Sequence, residues 1–214
     1  MAYIPALRFE ALTRLYDPLL RATLPEERLR ARLIEEAGLE PGHRVLDVGC
    51  GTGSLAILVK QHAPGVIVCA LDGDPRILEI ARTKARAAGA EVEFREGLAW
   101  EPPWEEGSFD RVFTTLMLHH LSTEDKLRTL RACRRLLRPG GRVLVADWGR
   151  AQDPLMRAAF LMVQALDGFA TTADNVDGRI PEILAEAGLV GVRELGRQRT
   201  VYGTLAYYAG ERAD

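Results

Sequence analysis

The stretch from Val45 to Gly53, which reads VLDVGCGTG, constrains the fold of this chain more than any other. Its first residues are mostly apolar, which is typical of a buried strand. Glycines then follow at every second position, at Gly49, Gly51 and Gly53, and they predict a tight turn, because glycine adopts positive φ angles without strain. A strand, a glycine turn and a helix in this order are typical of the ligand-binding edge of a parallel α/β sheet.

An acidic residue at the end of this strand, Asp47, indicates which ligand the turn serves. Dinucleotide-binding turns usually space their glycines GxGxxG and present a helix N-terminus to a doubly negative pyrophosphate. A carboxylate at Asp47 would repel a pyrophosphate and attract an ammonium group. The pattern therefore favours S-adenosylmethionine, which carries an amino group and a cationic sulfonium, over a nicotinamide dinucleotide.

Four further motifs extend this pattern along the chain: LDGDP at 71–75, GLA at 97–99, SFD at 108–110 and LRPGGR at 137–142. Together with the glycine turn, they make the segment from Gly42 to Trp148 similar to the class I S-adenosylmethionine-dependent methyltransferases, and in particular to the group that includes the ubiquinone and menaquinone biosynthesis methyltransferases. The resemblance implies an α/β fold, a Rossmann-like doubly wound seven-stranded sheet with six parallel strands and an antiparallel last strand. It also implies an enzyme that converts S-adenosyl-L-methionine to S-adenosyl-L-homocysteine.

The order of apolar segments independently predicts a parallel sheet, because strand and helix patterns alternate as right-handed crossovers require. Strands are predicted at 44–48, 66–71, 91–95, 111–116 and 142–146, and helices at 54–62, 75–88 and 122–137. The last third departs from this alternation, with a helix at 154–166, a loop through Asn175, a helix at 181–187 and strands at 191–195 and 200–208. The short link between these two strands favours a hairpin, which makes the last strand antiparallel.

The length of 214 residues favours a single methyltransferase domain over 1–214. We expect an N-terminal helical cap at 1–40, a cofactor-binding core at 41–148, a cap insert at 149–180, and a final helix and hairpin at 181–214. Apolar side chains in the two caps, such as Tyr3, Phe9 and Tyr16 in the first, favour an apolar acceptor that is quinone-like or lipid-like. Ordinary packing, a homodimer contact and brief membrane docking are alternatives for these side chains.

The resemblance assigns cofactor contacts to the loops after the strands. Asp72 is expected to accept hydrogen bonds from both ribose hydroxyls, and the glycine turn to admit the methionyl part. The family often has an aspartate where Leu98 stands and an apolar side chain where Gly73 stands, so either Trp100 or Trp104 could stack on the adenine instead, or anchor its loop. The predicted cofactor-binding residues are Asp47, Gly49, Cys50, Gly51, Gly53, Asp72, Gly73, Gly97, Leu98, Ala99, Thr115 and Leu116.

His119 and His120, just after the fourth predicted strand, are the candidate catalytic residues. Transfer from a sulfonium has a neutral leaving group, so positioning and desolvation supply much of the rate. A base is needed where the acceptor must lose a proton, as in O- or C-methylation, and histidine titrates in the required range. Alternatively, one or both histidines cap the following helix or pack under the loop.

The amino-acid composition limits the partners that we expect for this chain. The formal net charge of −2 gives no general attraction to nucleic acid, and no apolar segment is long enough for stable membrane insertion. The three cysteines form no CxxC pair, which predicts no metal site and favours a cytoplasmic location. Two other functions stay open: a non-catalytic S-adenosylmethionine-binding protein, and an arsenite-type methyltransferase, which would need converging thiolates that neither cap contains.

Overall fold

The computed structural model describes the backbone of residues 26–214 and the side chains from residue 28 onward, so most of the predicted N-terminal cap lies outside the described residues. In chain order the elements are α1 (Glu26–Ala37), β1 (Arg44–Val48), α2 (Ser54–His62), β2 (Ile67–Asp72), α3 (Pro75–Ala87), β3 (Val92–Glu96), β4 (Phe109–Thr115), a 3₁₀ turn (Leu118–His120), α4 (Thr123–Leu136), β5 (Leu137–Trp148), α5 (Pro154–Asp167), α6 (Phe169–Asp177), α7 (Ile180–Glu186), β6 (Val190–Thr200) and β7 (Gly203–Glu211).

The seven strands form one sheet in the order β3-β2-β1-β4-β5-β7-β6. Strands β1 to β5 pair in parallel, whereas β7 is antiparallel to both of its neighbours, β5 and β6. Six strands therefore run in one direction and the last runs against them. This topology confirms the predicted Rossmann-like sheet.

Helices cover both faces of the sheet, and successive residues of a strand face different cores. In β1, Val45 packs in one core with Leu33 of α1, while Leu46 packs in the other with Leu130 of α4. A strand that is covered on both faces has to be apolar at nearly every position, which is the pattern seen at 45–48. The periodicity of the sequence thus reflects the two-sided burial of the central strands.

The segment after α5 differs from the prediction. A loop through Asn175 was expected there, but residues Phe169–Asp177 form α6. Gly168, with a φ of 107°, interrupts the helix between α5 and α6, and the Asn175 amide donates to the Trp148 carbonyl at 2.8 Å. The expectation of a loop was wrong because the threonine, aspartate and asparagine side chains are bonded to protein groups instead of solvent.

Two strands are longer than predicted. β5 begins at Leu137, five residues early, and the three-residue register shift between the pairs Phe109–Leu137 and Arg111–Arg142 accommodates the Pro-Gly-Gly segment within the strand. β6 continues to Thr200, so only two residues link it to β7. The Thr200 hydroxyl closes this turn by donating to the Gly203 carbonyl at 2.9 Å and accepting from the Tyr202 amide at 3.1 Å.

The parallel strands all point their carboxyl ends to one edge of the sheet, where ligands bind in folds of this type. The loops at this edge are residues 49–53 after β1, 73–74 after β2, 97–100 after β3, 116–121 after β4 and 149–153 after β5. None of the helices within residues 26–214 combines the length and apolar character that crossing a bilayer requires.

Candidate functional site

A cavity of about 220 Å³ opens at the carboxyl edge of the sheet, between the loops that follow β1, β2, β3 and β4. Nine of the residues predicted from the sequence line it: Gly49, Gly51, Asp72, Gly73, Gly97, Leu98, Ala99, Leu116 and His120. The other predicted residues, Asp47, Cys50, Gly53, Thr115 and His119, lie outside the cavity lining. The four loops thus bring together most of the predicted set.

The three glycines of the first loop have different roles. All three have positive φ angles, of 70°, 52° and 72° for Gly49, Gly51 and Gly53, which favour glycine. A methyl group at Gly49 would overlap Met117, and one at Gly53 would lie 3.0 Å from the Phe94 ring, but a methyl group at Gly51 meets no atom within 4 Å. Gly51 therefore leaves open space for a ligand, whereas packing within the protein requires the other two.

The Asp72 carboxylate is held in place by two backbone amides. Its Oδ2 accepts from the Gly51 amide at 2.8 Å and its Oδ1 from the Asp74 amide at 3.0 Å. A carboxylate oxygen has two lone pairs, so each oxygen can accept one further hydrogen bond from a ligand. Asp74 has a separate role as the N-cap of α3, since it accepts from the Arg76 amide at 2.8 Å. The arrangement presents Asp72 as a fixed acceptor for a pair of hydroxyl groups.

Asp47 is buried behind the glycine turn, with 1% of its surface exposed. Burial raises its pKa to about 7, because the charged form is desolvated; the nearby charge of Arg30 opposes this rise and that of Asp72 adds to it. The carboxylate is outside the cavity lining and is partly protonated at neutral pH. Direct attraction of a ligand ammonium by Asp47, as the sequence analysis proposed, therefore has no geometric support in the cavity.

Asp147, near the end of β5, organises the loop after β4. It accepts hydrogen bonds from the Leu118 amide at 2.8 Å and the Trp148 amide at 2.7 Å, and its Oδ1 lies 2.7 Å from Nδ1 of His119. Burial raises the pKa of this carboxyl, but the charge and hydrogen bond of His119 outweigh burial and lower it overall. A single buried carboxylate thus fixes both the 3₁₀ turn and the ring of His119.

The two adjacent histidines have opposite environments. His119 is buried, and burial lowers its pKa. The charge and hydrogen bond of Asp147, together with the charge of Asp167, outweigh burial and raise the pKa overall, which favours the imidazolium. His120 lines the cavity, and burial together with the charge of His119 lowers its pKa to about 3. Of the two candidate bases, His120 is the one that a ligand in the cavity can contact, and its imidazole is neutral at physiological pH.

Comparison with known proteins agrees with this architecture. The Methyltransferase domain family matches residues 45–141, which include the glycine turn and Asp72. A demethylmenaquinone methyltransferase from Thermus thermophilus is 39% identical over 136 residues, which cover 64% of this chain and 59% of that protein. Residues 45–141 of the chain therefore form a domain of the Methyltransferase domain family.

Two further proteins are similar to this chain. Methyltransferase GfsG from Streptomyces halstedii is 36% identical over 183 residues, which cover 81% of this chain and 61% of GfsG. The solved structure of a SAM-dependent methyltransferase from Aquifex aeolicus matches with a TM-score of 0.67 at 20% identity, over 92% of this chain and 98% of that one, and shows the shared fold. The chain spans about three fifths of the length of the two curated relatives.

The part of the cavity near Leu98 and Gly73, where the sequence departs from the family pattern, is lined by apolar side chains. Leu98 and Ile77 both line the cavity, as does Trp100, whose ring also lies under the Arg128 guanidinium, 5.1 Å from it. Trp104 packs edge-on against the Phe109 ring at a centroid distance of 5.6 Å and is not part of the cavity lining. Of the two tryptophans that were candidates for stacking, Trp100 is the one a ligand can reach.

Five residues of this site were not predicted from the sequence: Leu71, Ile77, Met117, Leu121 and Asp147. The first four are apolar residues in or near the strand ends, where a role as cavity wall is indistinguishable from core packing. Asp147 had a usable signal, since an aspartate within the otherwise apolar run VLVADW has to find buried partners.

Proposed function

We propose that this protein transfers the methyl group of S-adenosylmethionine to a small apolar acceptor. The observation that carries the proposal is the carboxylate of Asp72, which two backbone amides fix at the cavity beside the one glycine of the turn that leaves space for a ligand. This geometry suits a ribose diol. The family match and the activity in the names of the relatives support the same cofactor.

The acceptor is proposed to be quinone-like. Supporting this, the wall of the cavity near His120 is apolar, with Leu116, Met117 and Leu121, and a relative of this chain is named as a demethylmenaquinone methyltransferase. Transfer of an apolar ring from water into such a cavity is favourable by about 25 cal/mol per Å² of buried apolar surface. Apolar walls also exclude water, which favours transfer to the acceptor over hydrolysis.

His120 is proposed to contact the acceptor atom that loses a proton. Its low pKa keeps the imidazole neutral, so it can accept a hydrogen bond from an acceptor hydroxyl. His119 is proposed as a positioning residue, because Asp147 holds its ring and it does not line the cavity. The chemistry otherwise needs little from the protein beyond alignment of the sulfonium and the acceptor.

An arsenite acceptor is disfavoured by the cysteines. Cys50, Cys69 and Cys133 lie in the glycine turn, β2 and α4, and all three are buried. Burial raises the pKa of each thiol, so none is a thiolate at neutral pH. Homodimer formation, a cytoplasmic location and the absence of nucleic-acid partners stay predictions of the sequence.

The test is a transfer assay with purified protein, S-adenosylmethionine labelled in its methyl group, and a panel of reduced quinones that lack one ring methyl. Label in the extracted quinone, lost in the His120→Gln variant while binding of S-adenosylhomocysteine persists, supports the proposal. Saturable cofactor binding with no label in any acceptor, including a whole-cell extract, would instead indicate a non-catalytic binding protein.

A further inference from the structure

Three side chains, of which His120 also lines the cavity, bring together nitrogen and oxygen atoms that can bind a metal ion. In the part of the chain with described side chains, ligand atoms of His119, His120 and Asp167 all lie within 4.8 Å of one another. Nε2 of His119 is 3.6 Å from Oδ2 of Asp167, and Nδ1 of His120 is 3.9 Å from Oδ1 of the same carboxylate. We propose that this cluster binds one divalent transition-metal ion, with Zn²⁺ as the best match.

The distances suit a tetrahedral ion. Zn²⁺ binds imidazole nitrogen and carboxylate oxygen at about 2.0–2.2 Å, which puts tetrahedral ligand atoms roughly 3.4 Å apart. The two histidine–carboxylate separations, 3.6 Å to Oδ2 and 3.9 Å to Oδ1 of Asp167, are a few tenths of an ångström larger. All three ligand atoms lie within 4.8 Å of one another, so side-chain rotations of up to about 1 Å would bring them to the distances that Zn²⁺ requires. Two imidazoles and one carboxylate leave a fourth position open, as in catalytic zinc sites.

An additional carboxylate orients the buried ligand. Asp147 lies 2.7 Å from Nδ1 of His119, so the Nε2 atom is the one that faces Asp167. Histidines that bind metals commonly donate their second ring N–H to a carboxylate, which fixes the ring and makes the ligand more basic. Asp147 is in turn fixed by the amides of Leu118 and Trp148. The structure therefore contains the supporting contact as well as the three ligands.

Charge in this region also favours a cation. The side chains of Asp147 and Asp167 are 1% and 9% exposed, so two carboxylates are concentrated near the two imidazoles. The buried ammonium nearby, that of Lys126, is engaged by Asp174 at 3.0 Å. A divalent ion between the imidazoles and Asp167 would replace the Nε2 proton of His119, which leaves to solvent, and would be attracted by both carboxylates.

A bound metal ion could also take part in methyl transfer, and this step rests on the proposed function, whereas metal binding is independent of it. His120 also lines the cavity, so the open fourth position can be taken by an oxygen of the methyl acceptor. In the metal-bound protein the Nδ1 lone pair of His120 is given to the ion. The ion would then lower the pKa of the acceptor hydroxyl, in place of the hydrogen bond that His120 accepts in the metal-free protein.

The test is direct metal binding by the full chain. Protein freed of metal with a chelator is titrated with ZnCl₂ by calorimetry and with CoCl₂ by visible absorption. We expect one ion per chain and the intense visible absorption of four- or five-coordinate Co²⁺. Asp147→Asn, which removes the supporting contact, should weaken metal binding about 10- to 100-fold. Asp167→Asn and His120→Gln each remove a ligand and should weaken metal binding at least about 10-fold. His62→Gln, at the exposed end of α2, is the matched control and should bind like wild type.

Each outcome decides the proposal. No binding by the wild-type chain, or binding that survives both Asp167→Asn and His120→Gln, overturns it, as does equal loss in the His62→Gln control. Thermal unfolding of every variant establishes that it is folded; His120→Gln, at the cavity wall, carries the test if Asp167→Asn does not fold. S-adenosylhomocysteine binding is measured on the same samples, so that the two proposals fail separately. Binding of S-adenosylhomocysteine without metal contradicts only the metal site, whereas binding of metal without S-adenosylhomocysteine contradicts only the proposed function.

Discussion

Substitution of Asp72 by alanine tests the cofactor site most sharply within the protein. The variant removes the acceptor proposed for the ribose hydroxyls, and hydroxyls left without partners in a cavity typically cost about 1–3 kcal/mol of binding free energy. This corresponds to roughly 5- to 150-fold weaker binding of S-adenosylhomocysteine, since each 1.4 kcal/mol is about tenfold. Calorimetry with purified protein measures the change.

A control is needed because Asp72 also holds the glycine turn through the Gly51 and Asp74 amides. Loss of these two bonds should destabilise the fold by about 1 kcal/mol each. Asp74→Ala provides the match, because removal of a helix N-cap costs about 1 kcal/mol while the residue does not line the cavity. Undiminished affinity in Asp72→Ala, or an equal loss in Asp74→Ala, would refute the assignment.

Three further predictions follow from the same contacts. Gly49→Ala should lower the free energy of unfolding, measured by urea titration, by more than Gly51→Ala does. Both variants are strained by about 1–2 kcal/mol at positive φ, but only the alanine at position 49 would also overlap Met117. Equal losses of stability would contradict the packing role of Gly49. Lys126→Met should destabilise the fold by about 1–3 kcal/mol, because it removes one charged partner of the buried Asp174 carboxylate, which keeps Thr123 and Arg179; a urea midpoint like that of wild type would be inconsistent with this. Burial raises the pKa of Asp174, but hydrogen bonds from Thr123 and Lys126 hold it below its ordinary value. The ionised carboxylate therefore stabilises the fold above that ordinary value, and this stabilisation disappears as the pH falls through the folded-state pKa. Urea titrations of wild type and Asp174→Asn should converge at acidic pH, and a stability difference that widens there would show the opposite sign.

The fold was largely predictable because its determinants are local. Two-sided burial makes the central strands apolar at nearly every position, and turns such as the one at Gly49 need residues that tolerate positive φ. Both properties are visible in the printed sequence. The failures, a loop instead of α6 and a late start of β5, arose where polar or turn-forming residues are held by tertiary contacts, such as the bond from Asn175 to the Trp148 carbonyl.

The candidate site was predictable in its loops but not in the roles of its residues. Asp72 ends β2 and His120 follows β4, so topology alone brings them to one cavity. The burial of Asp47, which puts it outside the cavity lining, depends on what packs against the strand. Asp167 approaches His119 from α5, 48 residues away, and no spacing in the sequence indicates that contact.

A crystal structure with S-adenosylhomocysteine bound decides whether Asp72 holds the cofactor. We expect both ribose hydroxyls on the carboxylate of Asp72 and the sulfur facing the part of the cavity lined by Leu116 and His120. A ligand bound elsewhere, or one in the cavity that leaves Asp72 without a ribose contact, would contradict it.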